Sequence, residues 1–249
     1  MLSAGSRLRL RVQGFVSQAF VPLTYYSIEG WMRFRRYRVP HLGRVRAEFA
    51  ALVGDRRGPL LVCANHLTLI DSLIIQWALA PGWRLFARPD WFFWNLPDKY
   101  NMSVNLFVRL LGYFGKCVLV RRKGPPEEVR QALDKVAFLL GRGQSVLVFP
   151  EGGRSRVGRV DTENFMYGVG RMIQETPEVR VVCVFARGIG QRVYTNFPRP
   201  GESFVVRMKR VELATAFKGL RADRDLATQI VRHLRMMEQE HFENAVLDR

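Results

Sequence analysis

From Pro59 onward, short apolar runs alternate with longer amphipathic stretches, and that rhythm restricts the fold more than any other feature of the chain. The runs at 60–64, 83–87, 117–120, 146–149, 179–185 and 204–211 have the length and composition of buried strands. Between them, residues 127–140 set Val129, Leu133, Val136, Ala137 and Leu140 on one helical face, with Pro125 and Pro126 before and Gly141 after. Residues 223–244 do the same with Leu226, Ile230, Leu234 and Met237. Strands that alternate with helices imply a sheet covered by helices. The expected class is therefore α/β, a mixed and mostly parallel sheet flanked by helices. A length of 249 residues, 48% of them apolar, suits one such domain over 51–249 preceded by an extension over 1–50.

The extension carries nine Arg and two Glu around Phe15, Phe20, Tyr25, Tyr26, Trp31, Phe34 and Tyr37. Aromatic rings settle at headgroup depth while Arg meets anionic lipid, so an amphipathic helical segment that associates with a membrane is expected. The plain alternative is a pair of helices packed on the domain's own core. No uninterrupted apolar run reaches the roughly 18–20 residues that span a bilayer. Residues 12–28 lack charge but hold Gln13, Ser17, Gln18 and Thr24, and Pro22 interrupts them. Arg7, Arg9 and Arg11 are not followed by the apolar core and cleavage site of a secretory signal. Residues 91–114 crowd Trp91, Phe92, Phe93, Trp94, Phe107, Tyr113 and Phe114 into a stretch suited to an acyl-chain groove, a bilayer contact or ordinary core.

Over the whole chain, 39 Lys plus Arg face 22 acidic residues, a formal net charge of +17. Such an excess fits an anionic membrane surface, an anionic substrate or nucleic acid. Nucleic acid is disfavoured because the aromatics cluster with apolar residues and form no recognisable binding module. Cys63, Cys117 and Cys183 each sit in an apolar run without C-x-x-C spacing, so buried free thiols in a reducing compartment are expected. His41, His233 and His241 are scattered and lack ligand spacing, so no metal site and no resident cofactor are expected.

Two segments carry chemistry. The run at 60–64 leads straight into Asn65-His66-Leu67-Thr68-Leu69-Ile70-Asp71. In a regular helix His66 and Asp71 would lie about 500° apart, on different faces. They can meet only if His66 occupies a turn before the helix and Asp71 lies one turn inside it. An Asp on one imidazole nitrogen fixes the tautomer and leaves the other nitrogen to deprotonate a hydroxyl. Thr68-x-x-Asp71 also matches a capping box, in which case His66 is an incidental turn residue. The second segment, Pro150-Glu151-Gly152-Gly153-Arg154-Ser155-Arg156, follows another strand. Its glycines let backbone approach a ligand, and Arg154 and Arg156 offer charge-assisted donors to phosphate.

Together these segments resemble the glycerolipid (lysophospholipid) acyltransferase family. Its N-H-x-x-x-x-D block stands as Asn65 to Asp71, and its F-P-E-G-T-R-S block as Phe149 to Ser155, with Gly153 in place of Thr. Between them, Ala87-Arg88-Pro89-Asp90 matches an A-K-x-E-like stretch in type. Lys116-Cys117-Val118-Leu119-Val120-Arg121-Arg122 after Gly115 matches a G-x-x-x-x-x-R block. The fourth block usually has a Pro in a hydrophobic strand, whereas Val181-Val182-Cys183-Val184 has none. The wording around Lys116-Cys117 and 151–156 is similar to acyltransferases found with bacterial aryl-polyene lipid pathways.

The resemblance implies that His66 is a general base oriented by Asp71. It implies that Arg88, Arg122 and Arg154 hold an acceptor phosphate beside Gly152 and Gly153. Glu151 then binds an acceptor hydroxyl or organises the arginines. An acyl-CoA or acyl carrier protein thioester would donate directly to a lysophosphatidic acid-like lipid, or to an aminolipid or aryl-polyene glycolipid intermediate. The implied setting is the cytoplasmic face of the inner (plasma) membrane. A lipid-binding protein with a dead site is the non-enzymatic rival.

Overall fold

The computed structural model describes residues 2–54, 58–122 and 124–247, with side chains described up to residue 244. Three helices come first: α1 (Ala4–Ala19), α2 (Val21–Phe34) and α3 (Leu42–Val53). Strand β1 (Leu60–Ala64) leads to α4 (Asp71–Leu79), α5 (Gly82–Ala87), a 3₁₀ turn at Pro89–Trp91, and β2 (Trp94–Asn95). Then come α6 (Lys99–Met102), α7 (Leu106–Phe114), α8 (Pro126–Leu140) and β3 (Ser145–Val148). The chain continues through α9 (Gly168–Gln174), β4 (Arg180–Gly188), β5 (Phe204–Val211) and α10 (Leu220–Leu247).

Among the described residues the strands form one five-stranded sheet in the order β2-β3-β1-β4-β5. The pairs β2–β3, β3–β1 and β1–β4 are parallel, and β5 joins β4 antiparallel. Every residue of β1 and β3 is buried, as strands covered on both faces must be. Side-chain alternation splits β1 between two cores. Leu60, Val62 and Ala64 join residues of α2, α3 and α4 on one face. Leu61 and Cys63 join residues of α8, α9 and α10 on the other. Leu226, Ile230, Leu234 and Met237 of α10 are buried on that second face.

Two expected strands are corrected. Residues 83–87 are helical: Pro81 takes an extended conformation at the N-cap and α5 follows. Only Leu85 of that run is fully buried, with Trp83 and Phe86 turned out, so no strand face exists there to pair. Residues 117–120 are extended but form isolated bridges, Cys117 to Asn95 and Val120 to Asp98, beyond the short edge strand β2. The aromatic stretch divides in two. Trp91, Phe93 and Trp94 are core, whereas Leu106 and Phe107 on α7 are exposed.

The extension packs inward and faces outward at once. Val21, Tyr25, Met32 and Phe49 are buried in the first core. Leu8, Phe15, Leu23, Tyr26 and Phe34 are exposed, Phe15 at 78% and Phe34 at 81%. No described helix is long and apolar enough to cross a membrane. Cys63, Cys117 and Cys183 are free, and burial pushes the thiols of Cys117 and Cys183 up to about 12.

One charge lies deep in the fold. Lys116, 1% exposed, donates from Nζ to the carbonyls of Pro89 (2.9 Å) and Phe92 (3.3 Å) and lies over the Phe92 and Trp94 rings. Burial lowers its amine from 10.5 to about 7, with Asp90 opposing. A folded pKa below the unfolded one means that the unfolded chain binds more protons between the two values. This group's contribution is therefore complete above pH 10.5 and is lost as pH falls towards 7. The wild type is expected to gain denaturant stability from pH 7 to 9, by up to about 1.4 kcal/mol per unit from this residue. Lys116→Met should lose that increment, read as the difference between the two unfolding midpoints across the range. An identical slope in both proteins would contradict it.

Candidate active site

The carboxyl ends of β1 and β3, neighbours in the sheet, place two loops side by side. This is where open α/β sheets bind ligands. The chain leaves β1 at Ala64, and Asn65 ties that end to β4. Its amide donates to the Ala186 carbonyl (3.0 Å) and accepts from the Ala186 N–H (2.8 Å). With Asn65 fixed, His66 falls in the turn.

Asp71 is the first residue of α4, not a residue one turn inside it, and Ile70 holds the N-cap position. Its carboxylate reaches back over the turn. Oδ2 accepts from the N–H of Leu67 (2.6 Å) and Thr68 (2.8 Å) and pairs with His66 Nδ1 at 2.9 Å. Oδ1 accepts from Thr68 Oγ1 at 2.5 Å. This differs from a capping box: Ile70, not Thr68, holds the N-cap and makes no side-chain bond, and the Thr68 hydroxyl donates to the Asp71 carboxylate instead of accepting from its N–H. A carboxylate in the first helical turn also gains from the helix dipole. The acceptor at Nδ1 assigns the proton to that nitrogen and leaves Nε2 with a lone pair. The His66 ring stacks on Phe149, centroids 4.2 Å apart at 18°. With Asp71 on one edge and Phe149 on one face, the ring has a single orientation.

The loop after β3 is stitched to the same turn. Glu151 Oε1 accepts from the His66 backbone N–H at 3.0 Å, and Oε2 from the Asp161 N–H at 3.3 Å. Ser155 N–H donates to the His66 carbonyl at 2.9 Å. Burial raises the Glu151 carboxyl to about 7; the two backbone donors oppose the shift, and the carboxylates of Asp161 and Glu238 add to it. Gly152 sits at φ +67°, and a Cβ there would lie 2.5 Å from Met166 Cγ, so glycine is required. Gly153 is different: a Cβ there meets nothing within 4 Å, so the Thr of the usual motif would fit.

The arginines lie at three places. Arg122 donates to the Gly152 carbonyl and is drawn down from its ordinary value by burial, against Asp98. This joins the 116–122 block to the glycine turn. Arg154 donates to the Thr195 carbonyl (3.3 Å) and to Asn196 Oδ1, with its guanidinium over Tyr194. Arg88 ends α5, paired with Asp90 at 2.8 and 3.1 Å and lying over Trp91. The structure thus brings His66, Asp71, Glu151, Gly152 and Arg122 into one bonded network, and Arg88 pairs with Asp90.

Residues 195 and 196 escaped sequence reasoning. Thr195 bridges Thr68, its N–H donates to the Leu67 carbonyl (3.0 Å), and the Asn196 carbonyl accepts from the Leu69 N–H (3.1 Å). They clamp the His66 turn and hold Arg154, yet nothing in Tyr-Thr-Asn-Phe at 194–197 signals it. Phe149 was visible as part of a motif, but its stacking on His66 was not.

An apolar cavity of about 140 Å³ adjoins this network, lined by Phe149, Gly152 and Arg122 with Val120, Leu133 and Met166. Among the described residues, no group of three or more His, Cys, Asp or Glu is placed to hold a metal ion. With its pKa raised by burial from 4.5 to about 7, the Glu151 carboxyl contributes stability that is complete below pH 4.5 and lost as pH rises through about 7. Glu151→Gln should flatten stability against pH across that window, measured by denaturant midpoints from pH 5 to 8. An unchanged profile would contradict the burial.

No curated protein matches the chain. The family model described as Acyltransferase matches residues 44–187, more than half of the chain and the whole span from α3 through β4 that carries the His66 turn and the Glu151 loop. With that match laid over a His–Asp pair at the end of β1, the chain belongs to the acyltransferase family, that of the glycerolipid acyltransferases.

Proposed function

We propose that the protein is an O-acyltransferase that moves a fatty acyl group from acyl-CoA or acyl carrier protein to the hydroxyl of a lysophosphatidic acid-like lipid. The observation that carries this reading is the 2.9 Å contact of His66 Nδ1 with an Asp71 carboxylate already fixed by three other donors. Such an imidazole is preorganised as a base. Nε2 takes the proton of the acceptor hydroxyl as its oxygen attacks the thioester carbonyl. The tetrahedral intermediate collapses, the C–S bond breaks, and the imidazolium returns the proton to the departing thiolate. Asp71 stabilises the imidazolium throughout without taking the proton. Arg122 and the 152–154 turn supply charge and backbone donors for acceptor phosphate or the oxyanion, and the 140 Å³ cavity offers apolar surface to part of an acyl chain.

The outward apolar residues support a membrane setting. α1 packs on α7 and α2 on α5, so exposed Phe15, Leu23, Trp83, Phe86 and Phe107 lie on adjoining helices. We read this as the side that meets an anionic bilayer, on the cytoplasmic face of the inner membrane. Rings and Arg there suit the interface, not a span. Within the same chemistry, an aminolipid or aryl-polyene glycolipid intermediate is the alternative acceptor; Gly153 in place of Thr is the departure that favours considering it.

Release of free thiol from palmitoyl-CoA, followed with lysophosphatidic acid and purified protein, tests the reading. Wild type should release thiol only with acceptor present. His66→Ala should lose roughly 100- to 10,000-fold in kcat, and near-normal turnover would remove His66 from the mechanism. Asp71→Asn should lose a similar factor with KM little changed, whereas a rise in KM alone would make Asp71 a binding residue. Arg122→Gln should raise KM for the lysolipid at least tenfold, about 1.4 kcal/mol. An unchanged KM would take the phosphate away from Arg122.

A further inference from the structure

The extended segment 117–122 and helix α8 form a wall with a cavity on each side. Val120, Arg122, Val129 and Leu133 face the small cavity beside Phe149. Leu119, Arg121, Glu128 and Lys135 face a larger one of about 750 Å³. Leu119 and Arg121 thus line one cavity and Val120 and Arg122 the other, and the turn of α8 likewise sends its residues to opposite faces. The larger cavity therefore lies across a wall from His66, and no residue of the catalytic network lines it.

Its chemistry is amphipathic. Arg9 from α1, Lys99, Arg109 from α7, Arg121 and Lys135 bring five cations, against one carboxylate, Glu128, which pairs with Arg121 at 3.4 Å. Its floor is apolar, with buried Leu10 and Val118 beside Met102 and Tyr113. At its edge, exposed Leu8 and Val12 on α1 run on to Phe107 and Leu110 on α7, part of the apolar outer surface. Gln13 donates to the carbonyls of Tyr113 (3.1 Å) and Cys117 (3.2 Å), fastening α1 over this hollow. A soluble polyanion would use the cations and leave the apolar floor and edge uncovered. An anionic headgroup with acyl chains attached uses both.

We propose that this groove binds one anionic phospholipid of the bilayer, with its phosphate among Arg9, Arg109 and Lys135 and its chains along α1 and α7. It is a binding site separate from the catalytic pair, and it stands whether or not the acceptor named above is correct.

The test uses the full chain and no turnover. Monomeric short-chain phosphatidylglycerol and phosphatidylcholine are titrated against it, and flotation is measured on phosphatidylcholine vesicles with and without phosphatidylglycerol. Saturable binding of phosphatidylglycerol alone, with flotation that needs it, is expected. Arg109→Glu with Lys135→Glu should weaken that binding at least about 25-fold, from about fivefold per interfacial cation. Lys218→Glu with Arg232→Glu, the same charge change on exposed residues elsewhere, should stay within about threefold. Arg109→Gln with Lys135→Gln repeats the groove test without charge reversal, and thermal melts show that each variant is folded. Equal losses in groove and control variants would overturn the site in favour of diffuse charge. Displacement of phosphatidylglycerol by free CoA would overturn it in favour of the donor's carrier, and absence of saturable binding would overturn it outright.

Discussion

The site depends on one carboxylate. Asp71 collects four donors: two backbone N–H groups, a hydroxyl and an imidazole, all from the residues immediately before it. A buried carboxylate left without such partners would be strongly disfavoured. With them, it pulls the exit of β1 into one turn and starts α4 in the same stroke. The His66–Asp71 geometry is thus a by-product of satisfying a buried charge at a strand-to-helix junction. Removing Asp71 would leave two buried N–H groups unpaired as well as an unguided imidazole, so its loss touches stability and chemistry together.

Around that junction the sheet acts as a jig. Asn65 fixes β1 to β4, Glu151 fixes the β3 loop to the His66 backbone, and Arg122 fixes the glycine turn from the far side. Further out, Glu238 of α10 accepts from the Val160 N–H (3.1 Å), next to the Asp161 N–H that holds Glu151. The terminal helix therefore reaches the site through two residues of one loop. Four of these ties run between segments far apart in sequence, so the site is assembled only in the folded domain.

The mostly parallel α/β sheet and the amphipathic faces of α8 and α10 were legible because both rest on patterns within a single segment. Residues 83–87 misled because a five-residue apolar run suits a strand or a buried helix equally; the decision came from how many neighbours could cover Trp83 and Phe86. Strand β2 escaped because two residues carry no period. His66 and Asp71 were visible as a local motif, while the placing of Asp71 at the very start of α4 depended on which N–H groups its side chain would find. The clamp by Thr195 and Asn196, the stacking of Phe149 and the charge buried at Lys116 are all long-range, and no local composition announces them. Membership of the acyltransferase family was readable from two blocks in order. The pairing of Arg88 with Asp90 was not.

The proposed chemistry needs Asp71 to fix the proton on Nδ1 of His66 and leave Nε2 as the base. Long-range ¹H–¹⁵N NMR of histidine-labelled protein reads this directly at neutral pH. A protonated Nδ1 and a pyridine-like Nε2 are expected for His66, with that pattern lost in Asp71→Asn. A His66 ring protonated on Nε2 alone, unaffected by the Asp71 substitution, would contradict it.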